Sequence, residues 1–126
     1  MSYPQPNLKA FKAGADLSAR QYHFVKFDTT KDTVVACAGN ERAIGILMNK
    51  PIQGEAAEVA IIGGGAKLKI SEAVGLGKLL TSTAAGQGEV ADAAGEWCAA
   101  LAFEDGVTND VIAVMVIATQ AQASDA

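Results

Sequence analysis

The sequence predicts an all-β protein, a small tulip- or barrel-like sandwich of short strands with at most one short helix. Three observations carry that prediction. Apolar runs are short and rich in Val, Ile and aromatic residues, turn signals of Gly, Asn, Asp and Ser recur roughly every 8–12 residues, and no segment sustains helical periodicity over an ordinary helix length. The 126 residues include 13 glycines and are 50% hydrophobic but only 6% aromatic, which suits thin sheets with many turns. A chain of this length forms one domain with a real core and little surplus for a second module.

Taken in order, Met1–Asp16 holds Pro4 and Pro6 and no periodicity, and reads as an extended, mildly basic arm with Tyr3, Leu8 and Phe11 among Lys9 and Lys12. Residues 17–119 read as the β domain and 120–126 as a flexible tail. Tyr22–Phe27, Thr33–Ala38 and Ala43–Met48 are three strands separated by polar turns, the last stopped by Pro51. Glu58–Ile62 and Ala66–Ile70 flank the triple glycine Gly63-Gly64-Gly65, a hairpin signal, and Lys67 and Lys69 alternate with Leu68 and Ile70 as on a sheet with one wet face. Ser71–Gly77 offers one helical turn behind an Ser71 cap, limited by two glycines. Lys78–Thr81 is a short strand, Ala84–Glu96 an Ala/Gly-rich loop, and Trp97–Phe103 with Val111–Ile117 a closing hairpin. In that last run both alternating faces are apolar, so the strand is expected to bury both, with Ile112, Val114 and Val116 as candidates for a contact between subunits.

Composition also excludes functions. Residues 1–50 carry seven Lys/Arg against four Asp/Glu, and residues 51–126 three against ten, so the body is acidic and lacks the basic stripe with interleaved aromatics that nucleic acid requires. No apolar run approaches the ~18 residues of a membrane helix. Cys37 and Cys98 are far apart, each within an apolar run, and read as small reduced core residues.

The residues of catalysis are not assembled. Gly77-Lys78 lacks the upstream glycine of a phosphate loop, where Glu72 stands, and the following hydroxyl, where Leu79 stands. His23 is the only histidine, too little for structural zinc or a hydrolytic triad, and reads as a strand residue. The carboxylates Glu89, Asp92 and Glu96, and Glu104, Asp105 and Asp110, lack calcium-loop spacing and read as solvated loop charge. Lys50, just beyond a strand, faintly resembles the modified lysine of carrier hairpins without their flanking pattern. No enzyme activity, cofactor or metal is expected.

The order of segments carries a resemblance. The arm and strand pair are followed by Ala43-Ile44-Gly45-Ile46-Leu47, Gly54-Glu55-Ala56-Ala57-Glu58-Val59, a glycine turn, Gly75-Leu76-Gly77-Lys78-Leu79-Leu80-Thr81 and Ala100-Leu101-Ala102 before the closing strand. This series resembles the capsid decoration, or cement, proteins of tailed bacteriophages over roughly residues 10–118. The resemblance implies a β-tulip homotrimer on the outer surface of the virion, bound to the major capsid protein at three-fold and quasi-three-fold sites and stabilising the expanded head against packaged DNA. It brings no catalytic residues. Within that role the arm residues Tyr3, Pro4, Pro6, Leu8, Lys9, Phe11 and Lys12 are expected to dock on the capsid by strand addition. The competing expectation is a head-displayed module whose loops contact host glycans, which an exposed Trp97 beside carboxylates would favour.

Overall fold

The computed structural model describes residues 7–39, 41–91 and 95–120. Ten strands and no helix make up the described residues: β1 (Leu8–Ala13), β2 (Phe24–Phe27), β3 (Thr33–Ala36), β4 (Gly45–Leu47), β5 (Ala56–Ile61), β6 (Gly65–Lys69), β7 (Leu79–Ser82), β8 (Gly88–Val90), β9 (Trp97–Ala102) and β10 (Val111–Gln120). The first five close into a barrel of order β1-β3-β2-β4-β5, and the last five form a sheet of order β6-β10-β9-β7-β8. The expected all-β barrel class is therefore present.

The two halves repeat one another strand for strand. In each, the first strand runs parallel to the third and antiparallel to the fifth, and the registers coincide. Phe11↔Ala57 and Lys12↔Ala56 in the barrel return as Leu68↔Ile112 and Lys69↔Val111 in the sheet. Phe24↔Ile46 and Val25↔Gly45 return as Leu79↔Leu101 and Leu80↔Ala100, and Val25↔Ala36 as Leu80↔Val90. The parallel contact Ala13↔Val34 returns as the isolated bridge Ile70↔Gly88. Even the loop bonds recur: Ile52 N–H donates to Glu55 Oε1 as Val107 N–H does to Asp110 Oδ2.

The cores follow the same plan. Phe11, Ala13, Leu17, Val25, Val34, Leu47, Ala57 and Val59 fill the barrel. Their register mates Leu68, Ile70, Leu80, Ala102, Ile112 and Val114 belong to a second cluster, joined there by Phe24, Ile46 and Ala60 from the barrel's outer face. Alternation along each barrel strand explains this double use. Val25 points into the barrel and Phe24 outward onto the C-terminal sheet, so both are fully buried.

Several expectations are corrected. Leu8–Ala13 is a barrel strand, paired with β5 over Leu8–Lys12 and with β3 at Lys12 and Ala13, and not part of an extended arm: the alternation Phe11 and Ala13 in, Lys12 out gives it a buried face. Ile112, Val114 and Val116 are at most 2% exposed within the single chain, so they are its own core and not a surface open to another subunit. The opposite face of β10 is only partly covered, with Ala113 buried, Met115 and Ile117 half-buried and Val111 exposed. The triple glycine is no hairpin, because β5 and β6 do not pair; it carries the chain from barrel to sheet, with Gly63 at φ 93°. Ser71–Gly77 forms no helical turn, since Val74 is bonded in both directions to Gly106. β8 lies inside the segment expected to be a loop.

Candidate functional site

The strands expected from Trp97 and Val111 pair as the closing hairpin, with a register shift between Val116 and Thr119. That end of the hairpin faces β2 and the β3–β4 connection of the barrel, and between them lies an open groove of about 630 Å³. Phe27, Ile62, Trp97, Ile117 and the Ala43–Ile44 pair give it apolar walls, while Lys26, Glu41 and Arg42 give it a charged rim. Phe27 and Ile62 are more than half exposed.

The rim is ordered by its own contacts. Lys26 Nζ donates to Glu41 Oε2 at 2.6 Å, and Glu41 Oε1 accepts from Ala38 N–H at 2.7 Å. The shared hydrogen bond raises the Lys26 ammonium above its ordinary value and lowers the Glu41 carboxyl, so both stay charged at neutral pH. The Arg42 guanidinium lies 5.0 Å from the Trp97 ring centroid. A face of the only tryptophan is thus covered by the protein's own cation.

The other singled-out residues are dispersed in structural tasks. His23, buried just before β2, holds its Nδ1 2.9 Å from Gln21 O, and burial pushes its pKa down, with the nearby charges of Arg20 and Lys69 adding to the effect. Cys37 and Cys98 are buried, as expected of small core residues, and burial pushes the Cys37 thiol up, away from the reactive thiolate. Loop carboxylates accept backbone N–H groups: Glu104 from Ala113, Asp105 from Leu76, Asp110 from Val107 and Glu72 from Val90. Asp92 lies outside the described residues, and Lys50 is exposed. Among the described residues no group of three His, Cys, Asp or Glu is placed to hold a metal ion.

Of the proposed docking residues, Leu8, Lys9, Phe11 and Lys12 sit together on β1. Leu8 is 48% exposed, Phe11 is buried against Phe27 edge to face at 5.6 Å, and Lys9 lies over the Phe11 ring. Tyr3, Pro4 and Pro6 lie outside the described residues. The groove is formed by residues far apart along the chain and has no motif in the sequence. Its one legible signal was the pair Phe27 and Ile62, large apolar residues placed where strands give way to polar turns.

Fold and site together define a double five-stranded β module with an apolar groove at the junction of its halves. The sequence matches no family model and no curated protein. Among solved structures it is similar to the N base of the head fiber protein gp8.5 of bacteriophage phi29, with a TM-score of 0.70 and 12% identity over 92% of this chain and 98% of that one. At that identity the likeness is one of fold.

Proposed function

We propose that this chain is a structural protein of a bacteriophage head, carried on the virion and acting by binding, not by turnover. The observation that carries this reading is the shared fold with a phage head fiber base over nearly the full length of both chains. The sequence resemblance to capsid decoration proteins points the same way. Within this reading the chain binds the major capsid protein on the outside of the expanded head at three-fold and quasi-three-fold sites, as a homotrimer that stabilises the shell. Within that reading, strand addition to the capsid falls to the edge of β1 at Leu8–Phe11, where β3 makes no pairing. The glycan-binding alternative loses ground, because a platform for sugar needs an open aromatic face and Arg42 stands on Trp97.

The test is co-sedimentation of the purified protein with expanded shells and with unexpanded proheads. Saturable binding to expanded shells alone, at a copy number matching the three-fold sites, is the expected result. Binding at a few copies per shell would replace decoration by a fiber-like attachment, and no binding to either shell would sink the head reading.

A further inference from the structure

The groove at the junction is open, apolar and rimmed by charge, and the described chain begins beside it. Asn7 O accepts from Ile61 N–H at 2.8 Å, and Asn7 Nδ2 donates to Ile62 O at 3.2 Å. Ile62 is itself a wall of the groove, and the residue is 54% exposed. The six residues before Asn7 are Met1-Ser2-Tyr3-Pro4-Gln5-Pro6. Asn7 is four residue steps from Tyr3, a reach of up to about 14 Å in extended chain.

We infer that this groove is the docking site of the chain's own N-terminal segment, with Tyr3 as its anchor. The chemistry of the two sides matches. A phenol ring has an apolar body for Phe27, Ile62 and Ile117 and a hydroxyl that donates to the rim carboxylate of Glu41, which keeps its charge through the Lys26 pair. Pro4 and Pro6 bring no N–H groups to be stranded against an apolar wall, and they restrict the segment to the extended conformations that aromatic-lined grooves bind. Tethering one residue from the wall favours the chain's own segment over that of a second copy. The inference does not depend on the head reading, since it concerns contacts within one chain.

Trp97 lines the groove and is the only tryptophan, so its fluorescence reports on the site directly. Deleting residues 2–6 removes a ring held at roughly millimolar effective concentration, and acrylamide quenching of Trp97 is expected to rise about twofold. Tyr3→Ala should reproduce most of that rise, with the far-ultraviolet spectrum of both variants unchanged. Added peptide Ser-Tyr-Pro-Gln-Pro should restore protection saturably in the deletion variant, and the full chain's protection should be unaffected by dilution. Equal quenching in the full chain and the deletion variant would overturn the inference. So would a Tyr3→Ala variant that quenches like the full chain, which would deny the anchor. Protection that vanishes on dilution would assign the groove to the segment of another copy.

Discussion

The N-terminal barrel closes its own seam, whereas the C-terminal sheet, with the same strand order and register, is closed by its neighbour. In the barrel, Lys12 N–H donates to Asp32 O and Gly14 N–H to Val34 O across the parallel β1–β3 contact. Their mates in the sheet are Lys69, Gly86, Ser71 and Gly88. Ser71 N–H still donates to Gly88 O, but Lys69 N–H donates to Tyr22 O and Gly86 O accepts from Phe24 N–H, so a piece of the barrel chain is threaded through the seam. The Arg20 guanidinium adds a bond to Ala85 O at 2.6 Å. One plan thus yields two roles: a self-sufficient module, and a second one that is complete only when the first lies against it. The lesson is that backbone satisfaction, more than strand order, decides which half stands alone.

The largest effect expected from this comparison comes from charge placed at mated core positions. Val59 and Val114 are both fully buried, and an unpaired carboxylate there costs several kcal/mol, comparable with the whole stability of a small domain. Val59→Asp should unfold both halves, because Phe24, Ile46 and Ala60 leave the sheet's core when the barrel opens. Val114→Asp should strip protection from β6–β10 while amides of the barrel interior, whose cluster is drawn from residues 11–59 alone, exchange more slowly. Hydrogen exchange resolved by segment measures this. Sheet amides that stay protected in Val59→Asp would show the dependence to be absent, and barrel amides that lose protection equally in Val114→Asp would show it to be mutual.

A smaller effect tests how the two cores fill the same volume. Where the barrel has Phe11, Val34 and Leu47, the sheet has Leu68, Gly88 and Ala102; where the barrel has Ala13 and Ala57, the sheet has Ile70 and Ile112. Large and small have been exchanged across the interior. A Cβ on Gly88 would meet Leu68 Cδ2 at 2.6 Å. Gly88→Val, which gives the sheet the barrel's residue, should therefore cost about 1–3 kcal/mol of unfolding free energy in urea. Adding Leu68→Ala should recover part of that loss, and strictly additive costs would deny the exchange of volumes.

That exchange also explains what could be read beforehand. The all-β class, most strands and the closing hairpin follow from period-two runs such as Ala66–Ile70, whose Leu68 and Ile70 are buried and Lys67 exposed. The repeat was hidden because its conserved quantity is the backbone register and the summed volume of the core. Phe11 and Leu68, or Val34 and Gly88, are equivalent only once their partners are seen. The strand Leu8–Ala13 is hard to read in the sequence because it carries just two inward residues, Phe11 and Ala13, too few for alternation to stand out. The doubly apolar β10 was legible, but its reason is its central place between β6 and β9. The groove needed both halves in position before Trp97 and Arg42, distant from Phe27 and Ile62 in different ways along the chain, came together.

The smallest effect concerns His23, which stands in the threaded segment where its register mate in the sheet is Lys78: Leu47 N–H donates to His23 O as Ala102 N–H does to Lys78 O. Burial lowers the His23 pKa below its ordinary 6.5, and protonation would set a cation beside Arg20 and Lys69 at the seam. The unfolded chain then binds a proton that the folded chain refuses. Stability held above pH 6.5 is lost as the pH falls below that value towards the lower folded pKa. Asp16 and Glu41 behave differently. Their carboxyls are lowered by the hydrogen bonds they accept, so their contributions fade only as the pH drops below the ordinary 3.8 and 4.5. Urea midpoints followed from neutral pH downwards should fall in two stages, and His23→Gln should flatten the first while leaving the second. If the first stage survives the substitution, the seam does not own it. If it vanishes and exchange at Lys69 and Phe24 no longer quickens in mild acid, the barrel's hold on the sheet is what the proton loosens.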